Sequence, residues 1–160
     1  MFRRMPLALA AASARPTFEV HRLMDNPEDG HLTRVTYIKE RASVIVSRFP
    51  QLGPRKEDPS DDVPQFDVNR RMSARFTVPE VATMLAVLES RVEKAAIANP
   101  GVEASASRDG DGFALDGVAI TGPRDDRKKQ EFKVTFDKTR TTQLYHFLEA
   151  SLKDSLGFKH

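Results

Sequence analysis

Apolar and polar residues alternate in short stretches along this chain, and twice such a stretch runs into a longer one with apolar residues at every third or fourth position. From Arg71 to Val78, Met72, Ala74, Phe76 and Val78 fall on one side of an extended strand, and Arg71, Ser73, Arg75 and Thr77 on the other. Thr77 then offers a helix N-cap with Glu80 three residues on, the spacing of a capping box. Behind it Val81, Met84, Leu85, Leu88, Val92 and Ala95 recur at helical spacing up to Asn99-Pro100-Gly101, which predicts one amphipathic helix over that stretch.

The second half repeats the plan. Gly112 to Thr121 and Gln130 to Phe136 read as paired strands joined by the polar turn Gly122 to Arg127. Phe132, Val134 and Phe136 face one way and Glu131, Lys133 and Thr135 the other; Asp137 then caps a helix carrying Leu144, Phe147, Leu148, Leu152 and Leu156, with Gly157 as its stop. Laid on the first half without a gap, Met72, Ala74 and Phe76 match Phe132, Val134 and Phe136, Thr77 matches Asp137, and Met84, Leu88 and Val92 match Leu144, Leu148 and Leu152. Agreement at strand, cap and helix together is what a repeated unit produces. Ahead of the first unit, Glu19 to Met24, Leu32 to Ile38 and the β-branched run Ala42 to Phe49 read as strands, with a turn from Asp25 to Gly30 and a proline-rich, charged loop from Pro50 to Pro64. The fold class is α+β, antiparallel, built as strands, helix, strands, helix.

Composition narrows the chemistry. At 160 residues the chain suits one domain, and with no cysteine it holds no disulfide, no thiolate nucleophile and no cysteine-ligated metal. His21, His31, His146 and His160 lack ligand spacing, and Asp109-Gly110-Asp111-Gly112 lacks the downstream glutamate of a calcium loop and reads as a turn. No phosphate-binding glycine loop or nucleophile–base pair stands out, so neither an enzyme nor a cofactor or metal is expected. Residues 1–17 are arginine-rich and acid-free, the composition of a mitochondrial targeting segment, which leaves 18–160 as the domain. Of the net +2, the three arginines in the first fifteen residues contribute +3, leaving −1 for the remainder. Any binding of a polyanion therefore has to rest on a local patch.

Three stretches carry a family resemblance. Tyr37-Ile38-Lys39-Glu40-Arg41-Ala42-Ser43-Val44, Val63-Pro64-Gln65-Phe66-Asp67-Val68-Asn69-Arg70-Arg71, and the end of the chain at Leu156-Gly157-Phe158 resemble, in order and spacing, segments of the Whirly single-stranded DNA-binding family and of its kinetoplastid relatives, the mitochondrial guide-RNA-binding proteins. The chain departs from plant members in lacking their tryptophans and in the short loop at Pro50 to Pro64. The resemblance implies two antiparallel sheets packed across each other and two helices at the centre of a tetramer, formed with itself or with a paralogous chain.

On that fold the outward strand residues Lys39, Arg41, Arg71, Arg75 and Lys133 are the candidates for phosphate contacts, and Tyr37 and Phe66 for base stacking. Phe76, Phe113, Phe132 and Phe136 are expected in the core. Two functions compete. One is a mitochondrial matrix protein binding single-stranded RNA, or DNA, by its backbone, in annealing or processing. The other is a structural subunit of a mitochondrial ribosome or respiratory complex that keeps the fold with reduced RNA binding.

Overall fold

The computed structural model describes residues 15–55 and 65–158. The targeting segment expected over 1–17 and the middle of the Pro50 to Pro64 loop fall largely outside those residues. Strands β1 (Thr17–Arg22), β2 (His31–Ile38), β3 (Ser43–Pro50) and β4 (Met72–Thr77) lead into helix α1 (Val78–Leu88). Strands β5 (Lys94–Asn99), β6 (Val102–Asp109), β7 (Gly112–Thr121) and β8 (Lys128–Phe136) lead into helix α2 (Lys138–Ser155). Each set of four strands forms an antiparallel meander in chain order, so the molecule is two sheets, each followed by a helix.

Alternation decides which face of each sheet is buried. Val35 and Tyr37, Val44 and Val46, and Met72, Ala74 and Phe76 line the inner face of the first sheet. Phe113, Leu115 and Ala119 with Phe132, Val134 and Phe136 line that of the second. Between them lie Val81, Met84, Leu85 and Leu88 of α1 and Leu144 and Leu148 of α2, so that both sheets and both helices share one core. Burying each of the larger side chains is worth about 1.5–3 kcal/mol, and Phe76, Phe113, Met84 and Leu148 are among those closed off completely.

The caps hold with one difference. Asp137 accepts from the Arg140 amide as an N-cap should. At α1 the Thr77 hydroxyl instead donates to the Glu80 carboxylate, which also takes the side-chain amide of Asn99 at 2.6 Å. Burial would raise the Glu80 pKa, but these hydrogen bonds outweigh it and hold the carboxyl below its ordinary value. Asn99 also donates to the Arg75 carbonyl at 3.0 Å, tying the end of β5 to β4 and to the first turn of α1.

One expectation is corrected. The helix drawn from Val81 through Ala95 stops at Leu88, Ser90 turns the chain at φ +60°, and Lys94–Asn99 pairs with β6 as a strand. Val92, spaced like a fifth helical contact, is 43% exposed. The apolar spacing of Leu88, Val92 and Ala95 fits either structure, and the ladder to β6, which the sequence reading left unassigned, decides it. The match between the two halves accordingly holds through Leu88 and Leu148 and fails at Val92.

Gly117, opposite Ala104 and Phe132 at the centre of the second sheet, has no room for a side chain: a Cβ there would sit 2.1 Å from the Glu103 carbonyl oxygen and 2.6 Å from the Ala104 Cα. Both obstacles are backbone. Gly117→Ala is expected to destabilise the protein by about 1–3 kcal/mol, read as a lower urea midpoint; an unchanged midpoint would show that the two strands part without cost.

Candidate nucleic-acid interface

With the inner faces consumed, charge is left to the outer ones. On the first sheet, register and alternation set Thr17, Thr36, Ile45 and Arg75 in one row and Glu19, Arg34, Ser47 and Ser73 in the next. His21, Leu32 and Phe49 form a third row, with Arg71 just ahead of β4 at its end. The Ser47 and Ser73 hydroxyls lie 2.9 Å apart between the arginines. Arg34 lies with its guanidinium 4.9 Å over the Phe49 ring and donates from Nε to Glu19 at 2.6 Å. Burial pushes the Glu19 pKa up, but the hydrogen bonds from Arg34 and His21 outweigh it and leave the carboxyl below its ordinary value.

The outer face of the second sheet is mixed. Lys133 stands opposite Asp116 and Lys94 opposite Ser107, while Glu103, Val118 and Glu131 share one row. Lys133 also marks where the sheets meet, because its carbonyl accepts Nη1 of Arg48 at 2.7 Å.

Arg75 and Lys133 are exposed strand residues, as alternation predicts, and Arg71 is exposed beside them. Lys39 and Arg41 are exposed too, but they sit on a 3-10 turn, Lys39–Arg41, and not on a strand. Ala42, at φ +46°, closes that turn and starts β3. The turn lies past the Ile38/Ser43 pair at the Thr77 end of the sheet, and Arg71 lies at the other end, about 20 Å away at strand rise. The five cations therefore occupy three places: the turn, β4 with the residue ahead of it, and β8. None of the five makes an ion pair or side-chain hydrogen bond among the described residues, so each charge is free to meet an anion.

The aromatic candidates part company. Tyr37 is only 5% exposed and belongs to the core; its hydroxyl donates to Asp154 at 2.6 Å and lies 3.1 Å from the Ser155 hydroxyl, both on α2. Its ring offers no open face for stacking, because the position falls on the inner side of β2. Phe66 is half-buried, bridged to Gln51 and set edge-on to His21 at 5.6 Å, beside the row that contains Phe49.

Two cations were missed in the sequence. Arg34 lies between the core residues Thr33 and Val35, so simple alternation already turns it outward. Arg48 is in phase with Val44 and Val46 and opposite Met72, so it is a cation on the inner face; that mismatch was the available signal. Its Nη2 lies 3.4 Å from Nδ1 of His31. Burial, then the charges of Arg48 and Arg22, push the His31 pKa down to about 4.

A double four-stranded architecture with a helix after each sheet defines a Whirly-type fold, here with cations on the outer faces. Residues 3–157 match the family model described as mitochondrial RNA binding protein MRP, and the chain belongs to that family. Among solved structures it is similar to MRP1/MRP2 of Trypanosoma brucei, with 33% identity and a TM-score of 0.78 over 90% of this chain and 96% of that one. It is also similar to a guide-RNA-binding protein complex bound to a gRNA, with 25% identity and a TM-score of 0.71 over 94% and 98%. WHY1 of Arabidopsis thaliana shares the fold at 12% identity and a TM-score of 0.55, over 88% and 86%. Comparison with curated proteins gives no match.

Because the folded protein resists protonating His31 and the unfolded chain does not, stability should fall as pH drops from about 6.5 toward 4. His31→Gln keeps an acceptor for Arg48 and should flatten that part of the profile of urea midpoint against pH; an unchanged slope would place the titration elsewhere.

Proposed function

We propose that the chain is a mitochondrial matrix protein that binds single-stranded RNA by its phosphate backbone, with little sequence preference, and brings strands together for annealing or processing. The observation that carries the reading is the set of exposed cations without an ion pair among the described residues, Arg75 on one sheet with Arg71 just ahead of its strand, Lys133 on the other and Lys39 and Arg41 on the turn, within a family of RNA-binding proteins. Guanidinium and ammonium groups on an open sheet neutralise phosphates and leave bases outward, which lowers the repulsion between two strands that are to pair. With Tyr37 closed off, Phe66 is the one remaining stacking candidate among the two, which favours backbone over base recognition.

A tetramer with a paralogous chain is part of the same proposal. The similarity to MRP1/MRP2 supports it, as do the apolar residues that α2 and its exit leave uncovered, Leu156 at 58% and Phe158 at 63% exposed. The alternative of a structural subunit draws on the carboxylates Glu103, Asp116 and Glu131 set among the lysines of the second sheet. Fixed stoichiometry in a larger particle without RNA would favour it.

Filter binding of unrelated single strands across a salt series decides. Affinity should fall steeply with salt, and Arg75→Ala and Lys133→Ala should each weaken binding evenly across sequences and reduce the log–log slope by about 0.7. No affinity at low salt would reject the proposal.

A further inference from the structure

A cleft of about 200 Å³ opens where the two sheets meet, lined by His31, Arg48, Arg70 and Met72 from the first sheet side and Gln130 and Phe132 from β8. That is several times the roughly 30 Å³ share of one water molecule. None of the five outer cations discussed above lines it.

Its floor is held in place. Gln51, 7% exposed, donates to the carbonyls of Met24 and Gly53 at 2.9 and 2.7 Å and accepts the Met24 amide at 3.0 Å. It packs so close to Gly30 that a Cβ there would fall 1.7 Å from its Oε1. Gly30 leads directly into His31, and its carbonyl accepts the Gln51 amide at 3.2 Å, so the backbone that enters β2 is tied down. Arg22, opposite His31 in the register, brings a further positive charge to the same end of the sheet.

The groups that Arg48 and His31 present to the cleft are donors. Arg48 has five N–H groups and no acceptor; one bonds the Lys133 carbonyl and another points at His31 Nδ1, which leaves three. Since Arg48 can only donate, Nδ1 must accept, and the imidazole proton sits on Nε2 as another donor. Arg22, Arg48 and Arg70 enter no ion pair among the described residues. The carboxylates of Glu28 and Glu131 also line the cleft, but both residues are exposed, and the charges acting on His31 are the two arginines Arg48 and Arg22. A half-buried Arg48 with spare donors, the Nε2–H of His31 beside it and the exposed Arg22 and Arg70 nearby, none of the three arginines in an ion pair among the described residues, form a site complementary to a tetrahedral dianion or a phosphodiester.

We infer that this cleft is a phosphate-binding subsite, in which Arg48 and the Nε2–H of His31 donate to the phosphate oxygens and Arg22 and Arg70 supply the surrounding charge. Resting on the RNA reading above, its occupant is a backbone phosphate at the junction of the two sheets; free phosphate shares the chemistry.

His31 is the reporter. Its titration by NMR is followed in the full-length protein alone, with inorganic phosphate, and with sodium chloride at equal ionic strength. The groups that face it are Arg22, Arg48, Arg70, Glu28 and Glu131. Phosphate should raise its pKa by roughly one to three units. Arg22→Gln, a change at an exposed strand end with no side-chain hydrogen bond to lose among the described residues, should reduce the response.

A short oligoribonucleotide and its uncharged methylphosphonate counterpart then separate the sources. A shift with the first and not the second assigns a backbone phosphate. A shift with inorganic phosphate alone assigns a free anion and removes the link to RNA. If phosphate moves His31 no more than chloride does, the subsite is wrong, and filter binding of the same strands shows whether the RNA reading survives without it. A His31 response to phosphate in a protein with no affinity for RNA would leave the subsite and remove that reading.

Discussion

One core shared by two sheets is the constraint on which the rest depends. Each sheet has two faces, and the inner one is committed wherever Phe76, Phe113, Phe136, Leu144 and Leu148 have to meet. Since side chains alternate along a strand, filling one face with apolar residues fixes what the other can carry. The outer surfaces of β4 and β8 are polar and cationic for that reason, and their charges stand on rigid backbone.

The same constraint explains why the cations behave differently from one another. Those out of phase with the core, such as Arg75 and Lys133, are exposed and make no ion pair among the described residues. Arg34, also out of phase, lies flat on Phe49 and pairs with Glu19, so part of its charge is already answered. Arg48 is in phase with the core; it donates across to the Lys133 carbonyl of the second sheet and lies beside the His31 imidazole of its own sheet. Burial and the nearby Arg22 push its pKa down, the signature of a cation held where water is scarce. Local cationic surface thus arises in a chain whose net charge is only +2, because position and pairing matter more to a local potential than the total.

Most elements were legible because their signals are local. β4 with α1 and β8 with α2 each carry alternation, a cap and a helical stripe in unbroken succession, and the structure reproduces both units, with the first helix ending at Leu88 and not near Asn99. β5 and β6 were not legible. Lys94–Asn99 is rich in alanine, a strong helix former, and Val102–Asp109 in alanine and serine, neither of which favours a strand, so their ladder forms through pairing with each other and with β7. At the site, alternation identified Arg75 and Lys133. It could not tell that Lys39 and Arg41 ride a 3-10 turn, or that Tyr37, in a motif strand, has its hydroxyl on Asp154 of α2.

By itself, then, the sequence determined the periodic elements, the two-unit plan and the identity of the outward residues on the well-marked strands, all of which follow from spacings of two and of three to four residues. The tertiary structure alone decided that 94–99 is a strand, that Tyr37 is closed off, and that Arg48, Arg22 and His31 converge where the two sheets meet. Those outcomes depend on contacts between residues far apart in the chain, Arg48 with Lys133 and Tyr37 with Asp154, and a local pattern holds no record of which distant partner a side chain will meet.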